Sequence, residues 1–246
     1  MTETAVCPIC EGTGWRTVER AGLSGVERCS CYGERRAREL LESAGIPPNY
    51  QHVSLENFEI PGDHPIVRAS LGQALIQVKN FVREFPAADH PGLLLIGDPG
   101  VGKTHLAVAV MRALLKRGRE CLFYDYQNLI DRIRSSWDST AGTADREAYR
   151  SALEAEVLIL DDLGSQRPID WVMDTMTSII TYRYNNVKPL IATTNLPDHE
   201  LSGKNKDYAR KTLAEVIGER ARSRLHEMCR ILDLSGVPDY RMKRVR

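Results

Sequence analysis

Leu93-Leu-Leu-Ile-Gly97-Asp98-Pro99-Gly100-Val101-Gly102-Lys103-Thr104 is the stretch on which the fold turns. Four apolar residues read as a short buried strand. Gly97 to Thr104 then fits G-x-x-x-x-G-K-[ST] in full, and an apolar-periodic run, THLAVAVMRALLKRG, opens a helix directly behind it. Glycines let the backbone curl so that successive N–H groups face a phosphate, and the helix N-terminus adds a favourable dipole. Lys103 is placed to reach the outer phosphates, and the Thr104 hydroxyl to hold Mg²⁺. The whole loop from Gly97 through Asp98, Pro99, Gly100, Val101, Gly102, Lys103 and Thr104 to His105 is therefore expected to contact nucleotide.

Outward from this loop the pattern alternates. CLFYDY (Cys121 to Tyr126), VLILDD (Val157 to Asp162) and PLIATTN (Pro189 to Asn195) read as further strands, and CRILDLSG as a fifth. Helical runs lie between them: NLIDRIRSSW, WVMDTMTSIITYRYNN and a late segment from about Lys206 to Met228. Short apolar strands separated by helices predict an α/β fold with a parallel sheet covered on both faces. A helix is also predicted from Ile66 to Phe85. The chain of 246 residues is 42% hydrophobic and 27% charged, with 33 basic and 33 acidic side chains. That composition excludes a wholly disordered chain and a uniformly basic coat.

Two strand ends carry chemistry. Asp161 and Asp162 close an apolar strand, where unpaired carboxylates are costly to bury. In phosphoryl transfer the first such acid holds Mg²⁺ and the second orients the attacking water. Asn195 ends the next strand, in position to sense a γ-phosphate.

The P-loop, the VLILDDLG strand, the TTN strand end and the late GERARSRL segment occur in one order. Together they resemble AAA+ ATPases of the DnaC/DnaI helicase-loader type, close kin to the IstB transposition helpers. The resemblance spans about residues 50–240. It implies a P-loop NTPase with a five-stranded parallel sheet, ATP and Mg²⁺ as ligands, and Lys103, Asp161, Asp162 and Asn195 as catalytic residues. It also implies that Arg224, in Ser223-Arg224-Leu225, acts in trans on a neighbouring subunit's nucleotide, with Arg220 one turn earlier as a second candidate. Many AAA+ proteins have Asp-Glu where this chain has Asp161-Asp162, so slow, switch-like ATP hydrolysis is expected. No sensor-2 arginine stands on a lid helix, because Arg241 follows the final strand.

The cysteines divide into a cluster and two singletons. Cys7-Pro-Ile-Cys10 and Cys29-Ser-Cys31 are separated by 18 residues. Four thiolates can close a tetrahedral Zn²⁺ site, and so short a segment with little apolar content needs the metal to fold. Cys121 and Cys229 lie on predicted strands and are expected in the core. With no signal peptide or membrane span read from the sequence, a cytoplasmic location is expected, where paired cysteines more often bind metal than oxidise. ERRARELLESAG, Glu34 to Gly45, reads as a short helix. The chain then divides into a zinc-binding partner-interaction module at 1–48, a linker at 49–64 and the ATPase domain at 65–246.

Charge is uneven along these parts. Residues 1–50 carry a net −1 and residues 51–202 a net −5, whereas residues 203–246 hold 12 basic and 6 acidic side chains. The basic end suits phosphates or a neighbouring subunit. Trp137 and Tyr149 with Arg132 and Arg134 offer another strand-facing region. The expectation is a helicase loader whose partners are the replicative hexameric helicase, single-stranded DNA and further copies of itself, with no membrane. Two alternatives stand beside it: a transposition helper of the IstB type, and a zinc-dependent interaction module that binds ATP without useful turnover.

Overall fold

The computed structural model describes residues 6–20, 23–61, 64–87, 89–135, 143–198 and 211–243. The chain begins with an antiparallel hairpin, β1 (Trp15–Arg20) and β2 (Leu23–Arg28), in which Trp15 pairs with Arg28. Helix α1 (Cys31–Ser43) follows, starting three residues before the predicted point, on the last cysteine of the cluster. After a 3₁₀ turn at Pro48–Tyr50 comes α2 (Pro65–Glu84). The body continues as β3 (Gly92–Ile96), α3 (Lys103–Lys116), β4 (Cys121–Asp125), α4 (Tyr126–Ser135), α5 (Thr143–Glu154), β5 (Val157–Asp161), α6 (Asp170–Asn185) and β6 (Leu190–Thr194). Two helices, α7 (Leu213–Ile217) and α8 (Glu219–Met228), lead into β7 (Cys229–Asp233).

The five body strands form one parallel sheet in the order β4-β5-β6-β3-β7, as the alternating pattern predicted. Its central strands read as continuous apolar runs because both faces are covered. Along β3 the side chains alternate: Leu93 and Leu95 enter the layer with α2 and α3, while Leu94 and Ile96 enter the layer with α4, α6 and α8. All four are essentially excluded from water. Such a sheet leaves polar side chains only at its strand tips, and those tips form the site.

Three local features depart from the sequence reading. The amphipathic α5 was not foreseen, because TADREAYRSALE carries few apolar residues; Ala148 and Ala152 form its buried stripe. The late helical run is broken at Gly218, whose φ of 88° ends α7 and begins α8, and its predicted start near Lys206 lies outside the described residues, as does Trp137. The segment between the 3₁₀ turn and α2 is not extended away from the body: Val53 and Leu55 are buried in the α2–α3 layer, and Tyr50 and Phe58 pack against it.

Arg183, fully buried on α6, closes the open carbonyls where α5 ends and the strands begin. Its guanidinium donates to the carbonyls of Ala152, Leu153, Ala155, Glu156 and Pro189. Burial pulls its pKa down to about 10, so it stays charged at neutral pH. Replacing it by leucine strands those carbonyls, and Arg183→Leu should lower unfolding free energy by about 3 kcal/mol in denaturant titration.

Candidate nucleotide site and cysteine cluster

The site sits at the carboxyl ends of β3, β4, β5 and β6, where the polar residues of the buried strands collect. The loop after β3 needs left-handed backbone at Gly100 (φ 78°) and Gly102 (φ 100°). A Cβ on Gly102 would stand 2.8 Å from the Phe58 ring, and one on Gly100 would overlap the Asp239 carboxylate. Lys103, only 6% exposed, is the first residue of α3. Its Nζ donates to Gly97 O and Asp98 O at 2.8 Å and to Asn195 Oδ1 at 2.6 Å. Burial lowers its pKa; the negative charges of Asp162, Asp161 and Asp98 act in the opposite direction.

Asp161 gathers the hydroxyls of two elements. Thr104 Oγ1 donates to its carboxylate at 3.0 and 3.1 Å, and Thr193 Oγ1 at 2.6 Å. Burial raises the Asp161 pKa, while these two hydrogen bonds favour the ionised form. The next residue, Asp162, takes a left-handed φ of 58° and anchors its backbone N–H on Thr193 Oγ1 at 2.9 Å. Asn195 Nδ2 donates to the Asp162 carboxylate, so this one amide bridges Lys103 and Asp162. Burial also raises the Asp162 pKa, against the favourable charges of Lys103 and Arg241. The sequence-predicted residues Lys103, Thr104, Asp161, Asp162 and Asn195 thus meet in one connected hydrogen-bond network.

Around that network lies a cavity of about 610 Å³. Two segments wall it opposite the strand tips. One is residues 49–61, with Asn49, Tyr50, Val53 and Phe58 on the cavity; the other is the tail after β7, with Val237, Tyr240 and Arg241. The tail is held there because β7 pairs with β3, Leu234 N donates to Ile96 O at 2.7 Å, and Tyr240 N donates to Gly100 O at 3.1 Å. The Tyr240 hydroxyl donates to Glu59, joining the two walls.

Several placements differ from the sequence reading. Arg241 does follow the final strand, but the tail turns back and puts it on the cavity with its charge felt by Asp162. Asp125, at the tip of β4 and in register with Asp161, also lines the cavity; a lone acid after CLFY gave no signal for it. Thr193 was legible only as part of the TTN strand end. His105 borders the cavity, yet its Nε2 is 3.1 Å from Ser54 O and its ring meets Phe58 edge-on at 5.3 Å, so it fastens the 49–61 wall to α3. Val101 is 3% exposed and turns its side chain into the core. Arg224 and Arg220 are not among the cavity residues: Arg224 lies over the Tyr184 ring at 5.9 Å with Nη1 on Arg220 O, and Arg220 is exposed.

The Sγ atoms of Cys7, Cys10, Cys29 and Cys31 all lie within 4.8 Å of one another. Cys7 and Cys29 are 3.8 Å apart, and Cys10 and Cys31 3.4 Å. A tetrahedral zinc with bonds of about 2.3 Å separates its sulfurs by about 3.8 Å, so the four thiols fit that ion. Burial opposes ionisation of Cys10, but the Gly14 amide at 3.3 Å and the neighbouring thiols bring its pKa down to about 6. Within the tight Cys-Ser-Cys spacing, Ser30 takes a helical conformation and Cys31 is the first residue of α1. Cys121 and Cys229 are buried in the core, where burial pushes both thiols up.

Residues 33–245 match the family model described as IstB-like ATP binding protein. Over 210 residues the chain is 28% identical to the uncharacterized protein YqaM of Bacillus subtilis (strain 168), which covers 83% of this chain but only 61% of that relative's length. It is 24% identical over 192 residues to the replicative helicase loader DnaC of Escherichia coli (strain K12), covering 77% of this chain and 72% of that one. The crystal structure of the DnaC helicase loader matches with a TM-score of 0.63 and 35% identity, over 76% of this chain and 99% of that chain.

Lys103→Ala should weaken ATP binding by about 10- to 100-fold in a fluorescent-nucleotide titration, the loss expected for charge-assisted hydrogen bonds to phosphate. Metal analysis of reduced, purified protein should return one zinc per chain, and Cys10→Ser together with Cys31→Ser should abolish it.

Proposed function

The chain belongs to the family of IstB-like ATP-binding proteins, and on that premise we propose that it is an ATP-dependent helicase loader that delivers a replicative hexameric helicase onto single-stranded DNA. The observation that carries this reading is the connected network of Lys103, Thr104, Asp161, Asp162 and Asn195 inside a cavity large enough for a nucleotide. The likeness to the DnaC loader, at 35% identity over nearly all of that structure, supports the choice of partner.

In this reading Lys103 holds the outer phosphates, and Thr104 and Asp161 hold the ion. When bound, Mg²⁺ neutralises charge that develops on the β- and γ-oxygens. Asp162 orients the attacking water, with Asn195 beside the γ-phosphate. Asp162 carries one methylene less than a glutamate and is tied to Asn195, which supports slow, switch-like hydrolysis. Arg241 contacts phosphate from its own chain, and Arg224 reaches a neighbour's nucleotide in an assembly. The division into a partner-binding module at 1–48, a linker at 49–64 and an ATPase domain at 65–246 follows the same reading. Ile9, Trp15, Leu23 and Val26 are exposed on the cysteine-bearing module and suit an apolar protein partner. The basic C-terminal segment meets DNA phosphates. No described helix is long and apolar enough to cross a membrane, and the cytoplasm is the proposed compartment.

The test mixes the full chain with the replicative helicase of its own organism, a forked DNA coated with single-strand-binding protein, and ATP. Helicase-dependent unwinding should rise at least about tenfold and the rise should vanish with Lys103→Ala, as expected of an interaction driven by nucleotide. No rise with a helicase that is active alone overturns the reading. Retention of a transposase on immobilised chain, in place of the helicase, supports the transposition helper.

A further inference from the structure

Asp198 stands three residues beyond Asn195 and carries a carboxylate that is 2% exposed. It grips helix α8 at two points. Arg222 donates Nε to Oδ2 at 2.8 Å and Nη2 to Oδ1 at 2.7 Å, and His226 Nε2 lies 2.7 Å from Oδ2. Arg222 and His226 are one helical turn apart, so both contacts fall on one face of α8. Between them on the chain, Arg224 leans the other way, over Tyr184 of α6.

The link from Asn195 to this clamp is short and stiff. Leu196 N donates to Thr194 Oγ1 at 3.1 Å, and the Leu196 side chain packs against Gly164. Pro197 fixes its own φ, and its carbonyl accepts from Leu213 N at 3.1 Å. At the other end, Asn195 touches Lys103 and Asp162 directly. Helix α8 has a turning point as well: Gly218, with φ 88°, separates it from α7. A buried carboxylate is expensive unless paired, and a pair that spans two elements fixes how they sit. Here those elements are the strand end that reads the cavity and the helix that presents the arginines.

We propose that Asp198 is a positioning residue that couples the cavity end of β6 to helix α8, so that nucleotide in the cavity sets the orientation of Arg220 and Arg224. Its importance in an assembly rests on the reading of Arg224 as a trans-acting residue, but the coupling itself lies within one chain. Asp198 is not among the residues that line the cavity, and it acts through Arg222 and His226.

The measurement is amide hydrogen exchange of residues 219–228 in the full chain, with and without a non-hydrolysable ATP analogue, at a concentration where the chain does not self-associate. In the unaltered chain the analogue should slow this exchange by about fivefold or more. Asp198→Asn should bind the analogue with unchanged affinity yet lose most of that response, and Asp198→Glu, which keeps the charge, should restore part of it. If Asp198→Asn does not fold, Arg222→Gln, which leaves the carboxylate with His226, is read in the same way. A full response in the folded variant, or no response in the unaltered chain, overturns the coupling. Sedimentation of Arg224→Ala with the analogue reads the other question: normal self-association refutes the trans role of Arg224 and leaves the exchange result standing.

Discussion

A lysine ammonium withdrawn from water at the first turn of a buried helix is the constraint on which the site depends. Lys103 cannot be left there without acceptors, because an unpaired buried charge is among the costliest groups a protein can hold. Two carbonyls of its own loop and the amide oxygen of Asn195 meet it. The loop can offer those carbonyls only in the conformation its glycines allow, and Asn195 can reach only from the strand beside β3. The requirement of one cation thus ties together the loop, the helix and the order of the sheet.

Much of this was legible in the residues because each element obeyed a local rule. Leu93 to Ile96 had to be a doubly covered strand, and the glycines of Gly97 to Thr104 had to form a tight loop between that strand and the helix that follows. Asp161, Asp162 and Asn195 were readable as polar endings of apolar strands, since only the tips of such a sheet tolerate them. What escaped was set by contacts distant in sequence. Arg241 is brought to the cavity by β7 pairing with β3, and no spacing near Arg241 encodes that pairing. Asp125 becomes part of the site only through its register with Asp161. The 49–61 wall looked like a connector because its few apolar residues, Tyr50, Val53, Leu55, Phe58 and Ile60, follow no single period; Val53 and Leu55 are buried in the α2–α3 layer and the other three pack against it partly buried.

The cavity is accordingly a composite. Its floor, the strand tips and the loop after β3, belongs to the sheet. Its walls come from the two ends of the domain, joined to each other through Glu59 and Tyr240. A ligand that spans floor and walls therefore senses both termini of the body at once. The wall made by residues 49–61 continues back into α1 and the four-cysteine cluster, and the opposite wall continues from α8. Nucleotide contact and the two surfaces proposed for partners are separated by only one element each.

The junction between α1 and the sheet has a role besides support. Among the described residues β4 is an edge strand, paired with β5 on one side. The chain leaving α1 lays Ala44 along its open side, where Ala44 O accepts from Phe123 N at 2.8 Å, and Arg36 of α1 pairs with Glu120 just before the strand. Exposed strand edges invite pairing with other chains. The helix that carries the cysteine module is thus also a guard on the sheet, since a chain without it would bare an edge open to strand addition.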